Sequence, residues 1–143
     1  MTYQPLFSAD EITDKITQLA AAIVKDHSST NPLFVALLRG ANPFASRLML
    51  AIAKQSPSFH PEMDYMMVRT YGTGTKAHTP EIITDIAPST TISGRTVIIV
   101  DDVLDKGITA TFVRDHLLKS GASVVQLAVL AEKTAAKVEA IDA

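Results

Sequence analysis

The chain is predicted to be an α/β protein, with a mostly parallel, twisted sheet covered by helices on both faces. Two apolar runs, Leu33-Phe34-Val35-Ala36-Leu37-Leu38 and Val97-Ile98-Ile99-Val100, lack the polar alternation of a half-exposed strand and suit strands buried on both faces. Each run enters a glycine-containing turn and then an amphipathic helix, so strand, turn and helix recur in the same order.

Taken in order, Ser8-Ala9-Asp10-Glu11 is a capping box, and Ile12, Ile16, Leu19, Ala20, Ile23 and Val24 follow at helical spacing to about Asp26. A polar linker from His27 to Pro32 leads to the strand 33–38 and the turn Arg39-Gly40-Ala41-Asn42-Pro43. An apolar helix through Phe44, Leu48, Met49 and Ile52 comes next. Met63 to Arg69 reads as a third strand, Tyr71 to Pro80 as a polar loop, and Glu81 to Ile86 as a short strand with alternating character. Ser93-Gly94-Arg95 turns the chain into the strand at Val97. The helix after it runs through Phe112, Val113 and Leu117 to Gly121, and Ser123 to Ala131 forms a last strand.

Composition narrows the function class. At 143 residues and 47% hydrophobic the chain can bury one core, and a single domain over 1–143 is expected. A net charge of -2 gives no electrostatic reason for nonspecific nucleic-acid binding. The absence of cysteine excludes disulfides and thiolate metal sites and fits a reducing compartment. Met1-Thr2-Tyr3-Gln4-Pro5 has no basic region followed by an apolar core, and no window reaches membrane-spanning length, so a cytoplasmic location without membrane contact is expected. His27, His60, His78 and His116 show no metal-ligand spacing and read as surface or loop residues.

The chemistry concentrates in Val97 to Thr111, which reads as strand, acidic turn, Gly/Thr loop and helix start. Gly107 permits a tight turn, and Thr109 and Thr111 can supply hydroxyls and cap the following helix, whose backbone N–H groups and dipole favour a small anion. The segment lacks the Gly-x-x-x-x-Gly-Lys-Ser/Thr spacing of a nucleotide P-loop and instead places Asp101, Asp102 and Asp105 before the threonines. Adjacent acids suit sugar hydroxyls or a hydrated Mg²⁺. A phosphate with a vicinal diol beside it would engage both halves, and that is a 5-phosphoribosyl group.

This ordered string resembles the motif that binds 5-phosphoribosyl 1-diphosphate (PRPP) in the type I phosphoribosyltransferases. Its third acid, Asp105, resembles the branch acting on hypoxanthine, guanine and xanthine. The resemblance implies that family's fold, Mg²⁺ as cofactor, PRPP and a 6-oxopurine base as substrates, and a homo-oligomer, dimer or tetramer. It implies that Asp101 and Asp102 hold the ribose hydroxyls, directly or through metal-bound water. Lys106, Gly107, Ile108 and Thr109 would hold the 5-phosphate, and Asp105 would be the general base facing N7 of the purine. Leu38-Arg39-Gly40 corresponds to a diphosphate-binding loop that often carries a non-proline cis peptide at Leu38-Arg39. Thr70-Tyr71 matches a pair on a flexible loop that closes over the reacting centre, and Lys133 matches a lysine donating to the exocyclic oxygen of the base.

Each of these residues also has a plainer reading: a solvated turn for the acid pair, a helix cap for Asp105, an ordinary strand-to-helix turn with a solvent arginine at Arg39, an exposed hairpin at Thr70-Tyr71, and surface charge at Lys133. Departures from the family pattern are Asp101 where glutamate is usual and Lys106 where threonine is usual. The resembling family continues into a C-terminal hood with an aromatic that stacks on the base; nothing after Lys133 is aromatic, so either the hood is truncated here or the base pocket is incomplete. Val100 to Leu104 and Gln126 to Leu130 also resemble the pyrimidine-operon attenuator family, an RNA-binding regulator of the same fold, although Asp105 stands where that family tends to have tyrosine. A non-catalytic nucleotide-binding module of this fold is the third alternative.

Overall fold

The computed structural model describes residues 8–71, 79–104 and 107–132. The elements are α1 (Ala9–His27), β1 (Leu33–Leu38), α2 (Asn42–Gln55), β2 (Glu62–Tyr71), β3 (Thr79–Thr84), β4 (Thr96–Leu104), α3 (Ile108–Lys119) and β5 (Val124–Glu132). They build one five-stranded sheet in the order β3-β2-β1-β4-β5. The pairs β1·β2, β1·β4 and β4·β5 are parallel, and β2·β3 is antiparallel.

Helix α1 starts where the capping box places it. The Ser8 hydroxyl accepts from the Glu11 N–H at 3.1 Å, and the Glu11 carboxylate accepts from the Ser8 N–H at 3.2 Å. Its buried stripe is Ile16, Ala20 and Ile23. The apolar runs of β1 and β4 are buried on both faces because each face has its own helices. Phe34, Ala36, Ile98 and Val100 point to one cluster with α1 and α2, while Leu33, Val35, Leu37, Val97 and Ile99 point to another with Val113 and Leu117 of α3. The chain moves from β1 through α2 to β2 in one direction and from β4 through α3 to β5 in the other. Right-handed crossovers taken in opposite directions set α2 and α3 on opposite faces. The strand order therefore reverses between β1 and β4, which is where open α/β sheets bind ligands at the carboxyl ends of the strands.

The structure corrects several sequence expectations. Tyr71 and the Thr79–Pro80 pair belong to strands rather than to a loop: β2 runs through Tyr71, and β3 begins at Thr79, two residues before the expected start. Cross-strand pairing with β2 decides this, with Tyr71 opposite Thr79 and Thr70 opposite Pro80. Residues 72–78 lie outside the described residues. Of the histidines expected at the surface or in loops, two are partly exposed helix residues. His27 ends α1 and its Nε2 pairs with Gln126 Oε1 at 2.8 Å, while His116 on α3 meets Asp85 at 3.0 Å. His60 is an exposed loop residue as expected, and His78 lies outside the described residues. Among the described residues no helix is long and apolar enough to cross a membrane.

Candidate active site

Pairing between β1 and β4 ends at Ala36–Val100, while β4 continues alongside β5 to Leu104. A cleft opens beyond that point, and the acid pair sits in it. Asp101 and Asp102 therefore stand on the strand itself, not on the turn that the sequence suggested, because the ladder to β5 keeps the backbone extended through Val103 and Leu104. Strand alternation turns Asp101 towards the side of α3, with Ile99, and Asp102 towards the side of α2, with Val100.

The cleft is a cavity of about 480 Å³ lined by Leu37, Leu38, Gly40, Val68, Thr70, Asp101, Asp102, the segment from Val103 to Leu104 and the segment from Gly107 to Ala110. It thus joins the turns after β1 and before α3 with the end of β2. Arg39 is exposed next to it, and the peptide bond between Leu38 and Arg39 is cis. In the turn, the Ala41 N–H donates to Leu37 O and the Asn42 N–H to Arg39 O, which folds the backbone directly into α2. Helix α2 has no side-chain cap.

Helix α3 begins at Ile108. Its N-cap is Gly107, at φ 77°, and no side chain caps it. The expectation that Thr109 and Thr111 cap this helix is thereby corrected: both lie inside it, and a left-handed glycine makes the turn instead. Ile108 and Thr109 of this uncapped first turn line the cavity, and an uncapped helix start with its dipole favours an anion there. The turn that leads into α2 and the start of α3 both line the cavity that holds the acid pair.

The carboxylates are themselves constrained. Asp101 Oδ1 accepts from the Asp102 N–H at 2.9 Å, and Asp102 Oδ1 accepts from the Val103 N–H at 2.9 Å. Burial pushes the Asp101 carboxyl up to about 7, reinforced by a hydrogen bond to, and repulsion from, the Asp102 carboxylate. A half-buried pair of hard oxygen donors that resists double ionisation is suited to a divalent cation or to sugar hydroxyls. No cluster of three or more His, Cys, Asp or Glu side chains is present among the described residues.

Of the residues singled out from sequence, the cavity gathers Leu38, Gly40, Thr70, Asp101, Asp102, Gly107, Ile108 and Thr109. Arg39 stands beside it, and Tyr71 closes the same strand one residue beyond Thr70. Asp105, Lys106 and Lys133 lie outside the described residues, as does the segment where a hood was sought. Sequence reasoning did not name Leu37, Val68, Val103, Leu104 and Ala110 as lining residues. The alternation of β2 was the available signal for Val68, since it shares a face with Thr70.

The phosphoribosyl transferase domain model matches residues 7–142. A hypoxanthine-guanine phosphoribosyltransferase of Streptococcus thermophilus is 37% identical over 139 residues, covering 96% of this chain and 73% of that protein. The Streptococcus mutans protein of the same name is 36% identical with the same coverage. The crystal structure of a hypoxanthine phosphoribosyltransferase from Staphylococcus aureus superposes with a TM-score of 0.85 at 25% identity, covering 98% of this chain and 73% of that one. A chain whose sheet reverses its strand order where the turn after β1, an acid pair and the start of α3 share one cavity, matched by this domain model over nearly all its length, belongs to the phosphoribosyltransferase family.

Proposed function

We propose that this chain is a purine-salvage phosphoribosyltransferase, moving the 5-phosphoribosyl group from PRPP to hypoxanthine, guanine or xanthine. The products are the nucleoside 5′-monophosphate and diphosphate. The observation that carries this reading is the order of groups along one cavity: the turn after β1, the acid pair, the start of α3. PRPP has the same order, with diphosphate at C1, hydroxyls at C2 and C3, and phosphate at C5.

In this reading the α3 start, Gly107 to Thr109, holds the 5-phosphate, with Lys106 alongside. The acid pair fixes the ribose hydroxyls, and the turn Leu38-Arg39-Gly40 receives the diphosphate, with the Arg39 guanidinium supplying charge. Mg²⁺, when bound to Asp101 and Asp102 directly or through water, would neutralise diphosphate oxygens. The C1–O bond to diphosphate breaks as purine N9 forms its bond to C1, and the electron pair of the broken bond leaves with diphosphate. Asp105 takes the proton from N7 as general base. Thr70 and Tyr71 serve to exclude water from the sugar centre, and Lys133 donates to the 6-oxygen of the base. A homo-oligomer in the cytoplasm completes the proposal, and its mass in solution tests the assembly.

The deciding experiment incubates the purified protein with PRPP, Mg²⁺ and, separately, hypoxanthine, guanine, xanthine and uracil, and measures nucleotide and diphosphate release. Turnover of one or more of the purines with none of uracil is expected. Failure to convert any purine while PRPP still binds overturns the transferase assignment and leaves a nucleotide-binding module.

A further inference from the structure

Gly40, in the turn after β1, and Asp102, on β4, meet at the cavity. A Cβ placed on Gly40 would lie 3.2 Å from Asp102 Oδ2 and 3.7 Å from Asp102 Cγ and Oδ1, and these are its three nearest neighbours. Backbone freedom does not explain a glycine here, because among the described residues the glycines with positive φ are Gly94, Gly107 and Gly121. What an added methyl meets is the carboxylate. The methyl would meet Oδ2, while Oδ1 accepts from the Val103 N–H at 2.9 Å, so giving way means turning the carboxylate against that bond on a strand paired to β5.

We propose that Gly40 is a positioning residue for Asp102. Its bare Cα leaves the space in which the Asp102 carboxylate stands, and so fits the diphosphate side of the cavity to the ribose side. This inference rests on the ribosyl-donor reading and adds to it a steric coupling between the turn after β1 and the acid pair on β4. Gly40 then acts through the group it leaves undisturbed, in addition to any contact of its own backbone with diphosphate.

A double-mutant cycle over Gly40→Ala and Asp102→Ala tests the coupling. With PRPP and Mg²⁺ as the titrant, Gly40→Ala is expected to weaken binding about tenfold in the wild-type background and less than about twofold in the Asp102→Ala background. The KM for PRPP should rise while the KM for the purine base changes by less than about twofold, a split that general loosening of the fold does not produce. Melting temperatures of the four ligand-free proteins read the contact without any ligand: Gly40→Ala lowers the melting temperature beside an intact Asp102 and not beside Ala at that position. Equal effects of Gly40→Ala in both backgrounds, or none in either, overturn the inference. A wild-type protein that binds no PRPP overturns the ribosyl reading instead, and the melting cycle then still decides the contact.

Discussion

Asp101 carries a charge state that its position in the sequence does not announce. Its carboxyl titrates near 7 instead of its ordinary 3.8, first because it is buried and then because Asp102 is beside it. A raised acid pKa means that the folded protein holds a proton the unfolded chain releases. Stability from this group is therefore intact below about pH 4, falls as the pH rises towards 7, and stays reduced above it. Asn carries no such cost, so Asp101→Asn should raise the stability of the ligand-free protein at about pH 8 by on the order of a few kcal/mol. At about pH 4 the gain should vanish. Thermal melts at the two pH values check this, and the same variant should bind PRPP more weakly. Asp105 is expected to behave oppositely: Asp105→Asn should cut turnover by about 100-fold or more while PRPP affinity, measured by calorimetry, stays largely intact. Unchanged turnover would remove Asp105 from the general-base role.

Helix α3 shows how one residue sets the direction of an element. Gly107 turns the chain at φ 77° and delivers Ile108 to Ala110 to the cavity wall. An L-residue with a Cβ in this conformation is strained by about 1–2 kcal/mol. Gly107→Ala should therefore lower the melting temperature and, by tilting the first-turn amides, weaken affinity for a nucleoside 5′-monophosphate more than its stability loss alone would. Calorimetric titration with the monophosphate measures the second effect. At this scale much was legible in the sequence. The capping box located the start of α1, and the unbroken apolar runs identified β1 and β4 as doubly buried. The start of α3 was misread because threonine hydroxyls and a left-handed glycine compete for the same turn, and local composition does not rank them. The hairpin of β2 and β3 was half legible: its strands showed, but their length depended on pairing across the sheet.

At the scale of the whole molecule the sheet has a working end and a structural end. The cavity lies at the carboxyl ends of β1 and β4. At their amino ends Arg95, with a side chain only 11% exposed, donates to Glu62 at 2.7 Å, to the Asn31 carbonyl at 2.9 Å, to the Thr91 carbonyl at 2.7 Å and to the Pro32 carbonyl at 3.2 Å. It ties together the segments entering β1, β2 and β4. Arg95→Ala leaves these acceptors without their charged donor and should cost about 2–3 kcal/mol in urea unfolding. The KM for PRPP should remain unchanged, because the lost bonds are at the opposite end of the strands. A proportionate rise in KM would show that the two ends are coupled.

The sequence by itself determined the order of strands and helices and the chemistry available at each turn, because buried runs, caps and acid spacing are local properties. It also carried the family resemblance in one continuous stretch, Val97 to Thr111. Only the tertiary structure decided that β1 lies beside β4, so that Gly40 faces Asp102 and the turn into α2 and the start of α3 line one cavity with the acid pair. Strand order depends on which faces bury most apolar surface together, a sum over the whole chain that no segment contains. Asp101's proton follows the same logic: aspartate is written in the sequence, but its resistance to ionisation comes from burial and a neighbouring carboxylate.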